Sequence, residues 1–103
     1  MALFQFGQSV TTKDLQEKLS GDIQLVDVRS PEEYRGGHIK QAKNVPLYRI
    51  TNYKGNKQDP VYVICQSGIR SKQAAKELKE LGYQAINVRG GMNQWLGQRV
   101  GGK

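Results

Sequence analysis

A chain of 103 residues with net charge +7, one cysteine and one histidine has room for one domain and a modest core. It has too few thiols for a disulfide framework or a multi-thiolate metal site, and a zinc site with one histidine would need carboxylates, an unusual donor set. No apolar stretch approaches the roughly 20 residues of a membrane span.

Residues 1–7 read as an extension ahead of a single domain at 8–98, with 99–103 as a flexible tail. The start, Met-Ala-Leu-Phe-Gln-Phe-Gly-Gln, lacks the charged region and long apolar core of a signal peptide. Residues 8–10 read as a short edge strand. Thr11-Thr12 then offers an N-cap to a helix with Leu15 and Leu19 on its apolar side, ending near Gly21-Asp22. Residues 23–28 read as a buried strand. Ser30-Pro31-Glu32-Glu33 has the signature of a helix start, with Ser as N-cap, Pro first and Glu third. Gly36-Gly37 stops that helix within two turns. Residues 43–45 form a short strand before Pro46, and the polar stretch 51–60 is a loop.

A second buried strand is expected at 61–64, and helical spacing predicts a helix over 71–81. Its apolar face is Ala74, Ala75, Leu78 and Leu81, while Lys72, Lys76, Lys79 and Glu80 lie mostly outside. Gly82 suits the position just after its end. Residues 85–88 make a further strand, and Gly90-Gly91 precedes a final short helix holding Met92, Trp95 and Leu96. Strands alternating with helices predict a mostly parallel sheet covered on both faces. Ligands of such sheets bind beyond the carboxyl ends of the strands.

Cys65 lies at one of those ends, on the loop Cys65-Gln66-Ser67-Gly68-Ile69-Arg70-Ser71. Successive N–H groups on such a loop, backed by a helix N-terminus, form an anion cradle. A free thiol has a pKa near 8.5, and such surroundings lower it to about 3.5–7.5. Gly68 supplies the freedom for a tight curve. Arg70 supplies a permanent charge in a planar fork suited to oxyanions. The competing reading is that Cys65 is only a small buried hydrophobe. The polar, Gly and Arg residues that follow it weigh against that. The basic residues are scattered, without the dense runs or interleaved aromatics of a nucleic-acid binder. They fit either a charged solvated surface or steering of small anions toward Cys65.

Three stretches in order resemble the rhodanese family of sulfurtransferases over about residues 8–98. The first is Leu25-Val26-Asp27-Val28-Arg29-Ser30-Pro31-Glu32-Glu33-Tyr34, continuing through Gly37-His38-Ile39, Ala42 and Asn44-Val45-Pro46. The second is the Cys65–Ser71 loop, and the third is Gly90-Gly91-Met92-Asn93-Gln94-Trp95. The length is similar to single-domain members. The resemblance implies an α/β three-layer sandwich, with a mostly parallel central sheet of about five short strands and helices on both faces.

It also implies a thiosulfate sulfurtransferase without metal or organic cofactor. Cys65 would be the catalytic nucleophile. Gln66, Ser67, Gly68, Ile69, Arg70 and Ser71 would bind the substrate. The donor would be a small sulfur anion, thiosulfate or polysulfide, and the acceptor cyanide or a thiol. The alternative is a persulfide carrier that relays sulfur between proteins. Four residues separate Cys65 from Arg70, where related phosphatases have five, and arsenate reductases of this fold also have a longer loop. Both activities are therefore disfavoured.

No nucleic-acid or membrane partner is expected, and the protein is expected to be a cytoplasmic monomer, since a lone thiol fits a reducing compartment. Asp27 and Arg29 are read as tying loops together, with Arg29 pairing Glu33 across the helix start, and less as lining the cleft. His38 is read as structural rather than as a general base. Met92 and Trp95 are read as core or its rim.

Overall fold

The computed structural model describes residues 8–103. The expected extension 1–7 lies outside the described residues. Five strands form one sheet in the order β1-β5-β4-β2-β3. They are β1 (Ser9–Val10), β2 (Gln24–Asp27), β3 (Lys43–Asn44), β4 (Pro60–Ile64) and β5 (Gln84–Val88). Every pairing is parallel, and the register sets Leu25 beside Tyr62 and Tyr62 beside Ile86. The helices are α1 (Thr12–Lys18), α2 (Pro31–Arg35), α3 (Ile69–Glu80) and α4 (Gly91–Gln94), with a 3₁₀ segment at Leu47–Asn52.

Side chains alternate across a strand with period two, so β4 feeds two cores. Val61, Val63 and Cys65 join Ala74, Ala75 and Leu78 of α3 and Ile50 of the 3₁₀ segment. Tyr62 and Ile64 join Leu15 of α1, Tyr34 of α2, and Met92 and Trp95 around α4. Each fully buried aliphatic side chain contributes about 1.5–3 kcal/mol. Both faces of the sheet are thereby covered, as the alternation of elements predicts.

The N-terminal caps follow the sequence signatures. Thr11 and Asp14 form a reciprocal capping box, as do Ser30 and Glu33, with Pro31 in the first turn. Among the described residues, no helix is long and apolar enough to cross a membrane.

Several expectations are corrected. The third helix begins at Ile69 rather than at 71, so Arg70 and Ser71 lie within its first turn. Pro60 opens β4, a tolerated position because the first residue of a strand can dispense with its N–H. Residues 51–52 belong to the 3₁₀ segment, and only the rest of 51–60 is loop and strand start. Leu81 caps α3 and is partly exposed instead of completing its apolar face. α4 stops at Gln94. Trp95 turns extended and stays buried, which swings Leu96 out to 94% exposure. The expected tail is tied back: Val100 pairs with His38 at 2.8 Å in both directions, and the Gly102 N–H donates to the Arg35 carbonyl at 2.9 Å.

Candidate active site

The chain leaves β2 toward edge strand β3, and leaves β4 toward β5 on the other side. A crevice therefore opens beyond the carboxyl ends of β2 and β4, where such sheets bind ligands. Asp27 ends β2, and Cys65 follows β4 directly.

The Cys65 loop folds back so that its sulfur caps α3. Gly68, the residue before this helix, has φ +106° and contributes no side-chain cap. Its N–H donates to Cys65 Sγ at 3.0 Å, and the Ser67 and Ser71 N–H groups also point at the sulfur. Cys65 Sγ lies 3.3 Å from Ser71 Oγ. The sulfur thus takes the place of the oxygen that usually satisfies the free N–H groups of a first turn.

α4 locks the loop from behind. The Met92 N–H donates to the Cys65 carbonyl at 2.8 Å, and the Asn93 N–H to the Gln66 carbonyl at 2.9 Å. Gly91, with φ +55°, permits this approach: a Cβ there would stand 2.3 Å from the Cys65 carbonyl oxygen.

Cys65 is fully buried and belongs to the core. Burial pushes its pKa up, but the Ser71 hydroxyl and the Ser71, Gly68 and Ser67 N–H groups outweigh it, and the thiol is held below its ordinary value. This separates it from an inert core cysteine, which has burial without donors. The pH dependence of iodoacetamide alkylation should therefore have a midpoint below about 8.5. The reactive thiolate is gained as pH rises through the lowered pKa and lost as pH falls through it. A midpoint at or above that of a free thiol would show that the cradle does not favour the anion.

The other expected site residues lie on the rim. Gln66 points away from the sulfur: its amide donates to Asn93 Oδ1 at 2.6 Å and accepts from Arg29 at 3.1 Å. Ser67 and Ile69 are exposed, Ile69 at 77%. Arg70 is not a free cation. Its fork grips Glu33 of α2 through two bonds of 2.7 and 3.0 Å. The Glu33 carboxyl is held down to about 2, chiefly by the Arg70 hydrogen bond against the opposing effect of burial. Glu33 lowers no charge on Arg70; it keeps the guanidinium protonated.

The expected Arg29–Glu33 pair does not form. Arg29 instead closes on Asp27 two residues back, with Nη2 2.8 Å from Oδ2 and Nε 3.0 Å from Oδ1. Its Nη2 also donates to the Gly37 carbonyl at 2.8 Å, and Asn44 Nδ2 donates to the carbonyls of Asp27 and Arg29 at 3.0 Å each. Asp27 and Arg29 are both buried, and through Gln66 this pair braces the cysteine loop. His38 is also buried. It stacks on Tyr34 with centroids 3.6 Å apart, and its Nδ1 is 2.7 Å from the Tyr34 carbonyl, so its contacts are structural.

Sequence reasoning missed Glu33 as the partner of Arg70, Asn93 as the anchor of Gln66, and Asn87 as the partner of Ser71. Asn87 carried a readable signal: it is the polar residue between Ile86 and Val88 inside an apolar strand.

Open clefts flank the loop on two sides. One, of about 470 Å³, is lined by Ser30, Leu47, Tyr48, Thr51 and Arg70. The other, of about 870 Å³, runs along α3 past Ser67, Ile69, Lys72, Lys76 and Arg89.

Comparison with known proteins agrees with this geometry. The Rhodanese-like domain family matches residues 11–98. YqhL of Bacillus subtilis is 42% identical over 78 residues, which are 73% of this chain and 62% of that protein, so the chain spans under two thirds of it. Thiosulfate sulfurtransferase PspE of Escherichia coli is 37% identical over 81 residues, 75% of this chain and 78% of PspE. The crystal structure of a rhodanese-like domain protein from Staphylococcus aureus superposes with a TM-score of 0.85 at 36% identity, covering 93% of this chain and 99% of the other. With its three motifs in order, its parallel sheet and its cysteine loop at the sheet's carboxyl edge, the chain belongs to the Rhodanese-like domain family.

Proposed function

We propose that the protein is a thiosulfate sulfurtransferase working through a Cys65 persulfide. The observation that carries the reading is the buried Cys65 sulfur, held below its ordinary pKa by loop N–H groups and Ser71. The Cys65 thiolate attacks the outer sulfur of thiosulfate. A new S–S bond forms to Cys65 while the old S–S bond breaks, and sulfite departs with that bond's electron pair. Cyanide or a thiolate then attacks the terminal sulfur, leaves as thiocyanate or a persulfide, and returns the Cys65 thiolate. The likeness to PspE, named as a thiosulfate sulfurtransferase, supports this donor.

Because Cys65 is fully covered at rest, the loop must shift to admit the donor. The test is intact mass after thiosulfate treatment: a gain of one sulfur atom, removed by cyanide, is expected. No mass gain from thiosulfate would overturn the reading.

Arg70 would attract the sulfonate end of the donor in competition with Glu33. Arg70→Ala should raise the KM for thiosulfate on the order of tenfold, about 1.4 kcal/mol of binding. Glu33→Gln should lower it, because the fork is released. Added salt should raise the wild-type KM through screening. If both variants keep the wild-type KM, Arg70 only clips α3 to α2 and the backbone N–H groups bind the donor.

A persulfide carrier is the second reading, favoured by the larger cleft. There Lys72, Lys76 and Arg89 lie beside exposed Ile69 at the edge of the cysteine loop. That cleft suits an acidic segment of a protein donor or acceptor. Slow turnover with thiosulfate but fast loading from a protein persulfide would favour it.

A further inference from the structure

The Ser71 hydroxyl stands between two partners. It is 3.3 Å from Cys65 Sγ and 2.5 Å from Asn87 Oδ1. Cys65 as a thiol donates to Ser71, and Ser71 donates to the Asn87 carbonyl oxygen. That arrangement serves only the neutral thiol. A thiolate has no proton to give and needs donors. For Ser71 to donate to the thiolate, its hydroxyl must turn from Asn87 to Sγ. Its oxygen is then left without a donor unless Asn87 presents its NH₂ group.

Asn87 can do this by rotating its carboxamide half a turn. Among the described residues, the Ser71 bond is the one hydrogen bond that fixes the amide. Its main chain stays fixed in β5, where the Asn87 N–H donates to the Gln8 carbonyl at 3.1 Å.

We propose that Asn87 is a positioning residue that acts on Cys65 through Ser71, its carboxamide turning over as the thiol ionises. This rests on the reading of Cys65 as the nucleophile but not on thiosulfate as donor. In the thiol state the chain of donation runs Cys65 to Ser71 to Asn87. In the thiolate state it runs Asn87 to Ser71 to Cys65, with the Cys65 proton released to solvent.

Other charged side chains lie on the elements packed around the loop. They are Arg70 from α3, with Glu33 of α2 behind it, the Asp27–Arg29 pair at the end of β2, and Arg89 after β5. They are unchanged in the alanine variants below, so the Ser71→Ala and Asn87→Ala cycle isolates the relay.

The readout is the alkylation midpoint of Cys65, with folding checked by circular dichroism and thermal melting. Ser71→Ala should raise the midpoint by about one pH unit, the scale of one hydrogen bond to a charged group. Asn87→Ala should raise it by about half a unit. Asn87→Asp should raise it further, because a carboxylate can only accept the Ser71 hydroxyl hydrogen bond and its charge also opposes the thiolate. In the Ser71→Ala background, Asn87→Ala should add nothing.

If Asn87→Ala does not fold, Asn87→Val replaces it, since valine suits a strand and removes both polar atoms. An unchanged midpoint in the Asn87 single variant, or an equal shift with and without the Ser71 hydroxyl, overturns the proposal. Because the readout needs no sulfur donor, failure with thiosulfate as substrate leaves the test intact. Failure to alkylate Cys65 at any pH would instead sink the nucleophile reading itself.

Discussion

Replacing Cys65 by serine should abolish sulfur transfer and leave the fold in place. The serine oxygen can accept from the same Gly68 and Ser71 N–H groups that now hold the sulfur, so the first turn of α3 stays capped. The smaller oxygen leaves little empty space in the core. The chemistry is lost because a hydroxyl is a far weaker nucleophile at neutral pH and cannot carry a persulfide. Thiocyanate production from thiosulfate and cyanide should fall by at least about a thousandfold. The thermal transition should remain cooperative and close to that of the parent. Activity within tenfold of the parent would mean that the chemistry resides elsewhere.

Asp27→Ala should be the most destabilising of the changes considered. Asp27 is fully buried, and its carboxylate holds Arg29, itself only 3% exposed. Removing one partner leaves a guanidinium in the interior without its counter-charge, which costs about 3–5 kcal/mol. That is a large share of the 5–15 kcal/mol that separates a typical folded domain from its unfolded chain. The loss should also reach the site, because Arg29 supports Gln66 and Asn44 is anchored to the Asp27 and Arg29 carbonyls. Urea unfolding measures the first effect, and the Cys65 alkylation rate measures the second. Replacing both partners by apolar residues, Asp27→Leu with Arg29→Met, should recover much of the stability, since no buried charge is left unpaired. A single-variant loss below about 1 kcal/mol would mean that water reaches Arg29.

Most of the elements, their layering and the place of Cys65 on its loop were legible in the sequence. The unbroken apolar run Val61-Tyr62-Val63-Ile64 predicted a buried strand, and these residues do split between two cores on opposite faces of the sheet. The capping boxes at Thr11 and Ser30 were legible because their donors and acceptors lie within three residues of one another. The Cys65 loop was legible for the same reason: seven consecutive residues build both the cradle and the helix start.

Tertiary structure decided which charges meet. Arg29 and Glu33 are four residues apart, yet the fold sends Arg29 back to Asp27 and gives Glu33 to Arg70, 37 residues away. The extended end of β2 lets Arg29 curl onto its own strand, while α2 presents Glu33 to the first turn of α3. Local spacing could not show the Glu33–Arg70 pair, because its partners come from different crossings of the sheet. The same holds for Gln66 with Asn93 and for Ser71 with Asn87, contacts across 27 and 16 residues. The exposure of Leu81 and Leu96 was also beyond a periodic pattern. Each lies where its helix has just ended, and the direction of the departing chain, not the helical period, sets what its side chain meets.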